Sequence, residues 1–130
     1  MRPKDSAHPS RAEKADNYHD TAERYKGTRV AEWAKLREGE SRLATGVELM
    51  FTDRTAGVTE LKKAQEVLEE LVAAKSTTRE VRERALFALA TTEESQAQSN
   101  TIAAAIGHYE QFLKEYPKSV YVPVAQQQLK

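Results

Sequence analysis

A chain of 130 residues, 39% apolar and 31% charged, has enough apolar mass for one compact domain, which at this size buries roughly two-thirds of its extended surface. Twenty lysines and arginines balance twenty aspartates and glutamates, so no strong overall field directs the chain toward nucleic acid or anionic lipid. The lack of cysteine excludes a disulfide framework, a thiol nucleophile and a thiolate metal site, and is compatible with the cytosol or an oxidising compartment. No run approaches the roughly 20 apolar residues of a bilayer-spanning helix, and the N-terminus lacks the hydrophobic core of a signal peptide. The expectation is a soluble domain, with the cytoplasm as its compartment unless an anchor or leader has been removed.

Residues 1–9 are polar and punctuated by Pro3 and Pro9, which predicts a flexible leader ahead of a single helical domain over 10–130. Ser10 and Glu13 have the spacing of a capping box, opening a helix over 11–26. Its apolar face of Ala12, Ala15, His19, Ala22 and Tyr25 is thin, and Gly27 interrupts it. Thr28 then caps a helix over 29–50, on which Trp33, Leu36, Leu43, Val47 and Met50 recur at nearly heptad spacing, with Trp33 read as core. Gly39 and Glu40 stand where that series lacks a large apolar residue. Gly39, Ser41, Ala44 and Gly46 would let another helix come close; the other reading is that the two glycines only cost about 1 kcal/mol each in helix propensity. Close crossing is the favoured reading.

The connection over 50–57 offers Thr52, Asp53 or Thr55 as the next cap, and a helix over 55–74 follows. Val58, Leu61, Ala64, Val67, Leu68, Leu71 and Val72 form its stripe, while Glu66 and Glu70 face outward with Lys62 and Lys63. Thr77 and Glu80 suggest a second capping box for a helix over 79–95. Val81, Ala85, Ala88, Leu89 and Thr92, widened by Leu86 and Phe87, suit a helix held between two neighbours. A fifth helix, 101–116, carries Ile102, Ala105, Ile106, Tyr109, Phe112, Leu113 and Tyr116 at steps of three and four, with Asn100 as cap and Pro117 as stop. Val120, Tyr121 and Val122 favour extended backbone, and Pro123 suits the first position of a last helix over 123–129.

These periods predict an all-α fold of antiparallel helical hairpins, stacked as a short right-handed solenoid or a compact bundle. Within AAIGHYEQFLKEYPKS, Ala105, Tyr109 and Pro117 resemble the small residue, the large aromatic and the terminal proline of a tetratricopeptide repeat's second helix. Leu89 and Ala90 resemble the large and small positions of the helix before it. A more degenerate unit is suggested by Trp33, Leu36 and Ala44, followed by Ala64, Leu68 and Leu71. Ala64 and Ala105 lie 41 residues apart instead of the usual 34 or so, so loops or helix ends must absorb about two extra turns. The resemblance spans residues 29–130 and is strong over 79–117. It implies helix pairs with a polar groove for a peptide or another helical protein.

No constellation for chemistry stands out. His8, His19 and His108 are widely spaced and belong to no metal-ligand motif, and His108 is expected at the solvent edge of its stripe. Glu93 and Glu94 diverge around their helix, and Glu66 and Glu70 have lysines beside them. No glycine-rich phosphate loop or nucleophile elbow occurs. The densest basic stretch, Arg24, Lys26, Arg29, Lys35, Arg37 and Arg42, is interleaved with acids and reads as a solvated face. No catalytic, cofactor-binding or metal residue is therefore assigned, and an enzyme is not expected. The expected function is a noncatalytic protein-interaction or assembly scaffold with a protein or peptide partner. A homo-oligomerising structural domain is the second reading, and a weak polyanion-binding module the third; nucleic acid is not the expected partner.

Overall fold

A computed structural model describes residues 11–130, with side chains from Glu13 onward. The expected leader over 1–9, and the capping box begun by Ser10, lie outside the described residues. Six helices follow in order: α1 (Arg11–Arg24), α2 (Arg29–Thr52), α3 (Arg54–Ala73), α4 (Arg79–Gln96), α5 (Ser99–Glu115) and α6 (Val122–Gln128). There is no strand among the described residues, and the β-prone Val120–Val122 segment forms a turn that runs into α6. Each helix packs on the next in sequence, and α2 also packs directly on α4.

Local chemistry sets the boundaries. Thr28 caps α2 as expected, its Oγ1 accepting from the Ala31 amide at 3.2 Å. Asp53 both ends α2, through its amide on the Leu49 carbonyl at 2.7 Å, and begins α3 by accepting from the Ala56 amide at 3.2 Å. A single residue thus joins the two helices, and α3 starts ahead of Thr55. The capping box expected from Thr77 and Glu80 does not form. Thr77 instead donates to the Leu71 carbonyl at 2.7 Å, closing the end of α3. The N-terminus of α4 is served from across the fold, where Glu32 of α2 accepts from the Thr78 amide at 3.0 Å and its hydroxyl at 2.5 Å. Nor does Asn100 cap α5: the helix begins a residue earlier, and Thr101 ties back to Gln98 by accepting from its amide and donating to its carbonyl. Ala97 makes the preceding turn in the left-handed region, at φ 57° and ψ 35°.

Two apolar clusters meet in α4. Leu36, Leu68, Leu71, Val81, Ala85, Ala88 and Leu89 join α2, α3 and α4. Leu86, Ala90, Ala105, Tyr109, Phe112, Tyr116 and Ala125 join α4, α5 and α6. Val72 packs against both. The broad apolar surface read from α4 is thus used on two sides.

The close crossing of α2 and α3 has a steric basis. A Cβ placed on Gly39 would sit 2.7 Å from Leu68 Cδ2, and one on Gly46 would sit 2.7 Å from Leu61 Cδ2, with both leucines fully buried. By contrast, α1 is held to α2 through the small side chains Ala22, Ala31 and Ala34. Such close approaches leave no room for an indole, and Trp33, expected in the core, lies 39% exposed beside α4. The α5 stripe is likewise wider than the part covered: Ala105, Tyr109, Phe112 and Tyr116 are buried, while Ile102 and Ile106 are 43% and 45% exposed.

Candidate functional site

The contact between α2 and α4, continued by the start of α6, positions the most recognition-like side chains. On α2, Val30 and Trp33 lie one helical turn apart, and both are exposed. The Arg84 guanidinium of α4 sits 5.7 Å from the Trp33 ring centre, where its charge meets the negative face of the indole. Arg84 is fixed in that place by Glu40, one of whose oxygens accepts from Nη2 at 2.8 Å while the other accepts from Nη2 at 2.9 Å and Nε at 3.2 Å. One turn along α4, Phe87 stacks on Tyr121 with ring centres 4.8 Å apart. Trp33, Arg84, Phe87 and Tyr121 therefore form a band across α2, α4 and the turn that enters α6. Such a band supplies flat apolar area and a held cation, which suits binding more than bond-making.

At the far end of α4 the band becomes a polar knot. Tyr109 lies within hydrogen-bonding distance of Thr91 Oγ1, at 3.1 Å, and donates to Glu94 at 2.9 Å; Glu94 also accepts from Gln128 of α6. Burial pushes the Tyr109 phenol up to about 12, so it stays protonated and acts as a donor.

Two buried carboxylates lie away from this band. Glu38, 3% exposed, accepts from Arg42 Nε at 3.0 Å and meets His19 Nδ1 at 3.3 Å. Arg42 also donates to Glu60 of α3 at 3.3 Å and lies 3.6 Å from Asp16 of α1, so one guanidinium ties three helices together. Burial works against the Arg42 charge, but the hydrogen bond and charge of Glu38, followed by those of Glu60, outweigh it and raise its pKa. Glu93 of α4, 2% exposed, meets His108 Nδ1 of α5 at 2.6 Å. That hydrogen bond is the main reason the His108 pKa is raised above its ordinary value. On this α3 side, Gln96 donates to Gln65 at 2.6 Å.

The residues weighed for chemistry are thus dispersed. His19 and His108 serve different carboxylates on different helix pairs, and His108 lies half-buried at the margin of its stripe, where it meets the buried Glu93. Glu93 and Glu94 diverge as their adjacency requires, one toward His108 and the other toward Tyr109. Glu70 pairs with Lys35 of α2 at 3.4 Å, and Lys63 with Glu60 at 3.5 Å, in place of the expected pairs within 62–70. Acids neutralise Lys35 and Arg42 of the basic stretch. Among the described residues, no group of histidine and carboxylate side chains could hold a metal ion, and no helix is long and apolar enough to cross a membrane.

The Arg84–Trp33 and Glu93–His108 contacts had no signal in the sequence, since partners 51 and 15 residues apart fall within no helical period. Glu38 and Arg42 did have one: an acid and a base four residues apart share a helix face. Comparison of the chain with protein-family models, with curated proteins and with solved structures gives no match.

Proposed function

We propose that the chain is a noncatalytic interaction or assembly scaffold, built from tetratricopeptide-like helix pairs, that holds a segment of another protein against the α2–α4–α6 band. Two consecutive hairpins, α2–α3 and α4–α5, with α2 lying on α4, support the repeat-like reading. So do the burial of Ala105 and Tyr109 and the position of Pro117 just past α5. The observation that carries the function is the exposed Trp33 under a guanidinium immobilised by Glu40. Tryptophan and arginine are the residue types that dominate binding energy at protein interfaces, and here both are already ordered, so little rotamer entropy remains to be lost on binding.

The test is affinity capture followed by titration of the purified partner. Trp33→Ala should weaken binding about 30-fold, the scale of a ~2 kcal/mol hot spot. Arg84→Ala should weaken it as well, while Phe51→Ala, at an exposed site in the last turn of α2, should not. Failure to obtain a saturable protein partner, or equal affinity of the Trp33 and Phe51 variants, would sink this reading.

A further inference from the structure

An open cleft of about 640 Å³ lies where the start of α4 meets the end of α5 and the turn that enters α6. Its rim carries Arg79, the first residue of α4, Lys114 in the last turn of α5, and Lys118 in the turn that follows, all of them exposed. Among the described residues, none of these three cations has a carboxylate within ion-pair distance. The two acids of the cleft are engaged elsewhere. Glu115 pairs with Arg82 and accepts from Gln111 at 2.8 Å, while Glu83 accepts from the Ser119 hydroxyl at 2.5 Å. The hydroxyl leaves Glu83 charged, yet with Arg82 included positive charge still exceeds negative around the cleft. By contrast, the cleft between α1 and α3 sets four lysine or arginine side chains against four glutamates and carries no excess. The positive end of α4 and the negative end of α5 both lie at this place and offset each other, so the side chains set its sign.

We infer that this cleft binds a phosphate monoester. The supports of its cations are ordered. The Arg79 guanidinium sits 5.0 Å from the Tyr116 ring centre, and stacking on a ring leaves its N–H edge for an acceptor. That ring is buried, and its hydroxyl accepts from Arg82 Nη1 at 3.3 Å. The turn bearing Lys118 is closed by the Ser119 amide on the Tyr116 carbonyl at 3.0 Å and by the Val122 amide on the Ser119 carbonyl at 3.2 Å. Three cations on three separate segments exceed what one carboxylate can answer with a single charge and two oxygens. A phosphate monoester brings about −1.5 to −2 of charge and three acceptor oxygens. Pro117 and the exposed Val120 give the carbon side of the ester an apolar wall. Neither Trp33 nor Arg84 lines this cleft, so the site and the interaction band can fail separately.

Inorganic phosphate and O-phosphoserine, titrated into the nitrogen-15-labelled chain at constant ionic strength with acetate as the control, test the site by nuclear magnetic resonance. Exposed cations are screened by salt and contribute little singly, so saturable shifts of the Arg79, Lys118 and Ser119 amides should reach half-saturation near about 1 mM. Arg79→Ala should weaken binding about tenfold, and so should Lys118→Ala, whose side chain holds nothing else in the fold, both with unchanged helical circular dichroism. Lys62→Ala, at an exposed cation on α3, and Trp33→Ala should bind like the parent. Vesicles of phosphatidylcholine with phosphatidic acid, whose headgroup is the same monoester, identify the source of the phosphate. Co-sedimentation that Lys118→Ala abolishes assigns a lipid headgroup, and binding of O-phosphoserine without co-sedimentation assigns a soluble monoester. No saturable shift, equal shifts with acetate, shifts centred on another part of the chain, or parental affinity in both the Arg79 and Lys118 variants would overturn the site.

Discussion

Glu93 holds its carboxylate out of water, and the His108 imidazole beside it is the group whose charge can change near neutral pH. Because the hydrogen bond to Glu93 raises the folded-state pKa of His108, protonated histidine stabilises the fold. That contribution is fully present below the unfolded pKa of about 6.5 and is lost as pH rises through the higher folded value. Denaturation midpoints taken from pH 5 to 9 should therefore show a decline above neutrality that Glu93→Gln flattens. Nuclear magnetic resonance titration should find the His108 pKa falling toward its ordinary value in the same variant. His108→Ala, which removes a hydrogen-bond partner from a buried carboxylate, should cost about 2 kcal/mol at pH 6 in a urea titration. Arg42 offers a contrast, since its guanidinium, held by Glu38 and Glu60, stays charged throughout this range.

The helix crossings turn on glycines that look alike in sequence and differ in surroundings. Gly39→Ala and Gly46→Ala should each gain about 1 kcal/mol of helix propensity but lose more to overpacking, for a net destabilisation of about 1–2 kcal/mol. The added carbons would press on Leu68 and Leu61, both fully buried. A Cβ on Gly107 would meet nothing within 4 Å, so Gly107→Ala should stabilise by about 1 kcal/mol. Urea midpoints at constant m-value compare all three. The period of apolar residues made the six helices legible, because burial of one face forces that period on the sequence. It also made the paired glycines of α2 readable as a close crossing. What it could not reveal is how much of a stripe the partner covers: Trp33, Ile102 and Ile106 are apolar, in register and still exposed. The cap that Glu32 gives α4, the Arg84–Trp33 contact and the Glu93–His108 pair were equally hidden, since side chains brought together by folding leave no periodic trace.

Across the whole molecule, burial is uneven. The α4 helix is enclosed by both apolar clusters, whereas α1 is held by an alanine cluster and the ties of Arg42 and His19. Local opening free energy follows buried apolar contact, so hydrogen exchange should release the amides of α1 well before those of the central turns of α4. Phe112→Ala, at a fully buried ring between α4 and α6, should cost about 3–5 kcal/mol, which thermal denaturation will read. Trp33→Ala, at a half-covered site, should cost under about 1 kcal/mol. The pairing of each helix with the next has a kinetic counterpart. Contacts between sequence neighbours close short loops, so refolding should fall in the microsecond-to-millisecond range, as temperature-jump fluorescence of the single Trp33 can follow. The same nearest-neighbour order lets the α2–α3 hairpin settle while the segment from α4 onward is still emerging from the ribosome, so each newly synthesised helix meets a surface already waiting for it.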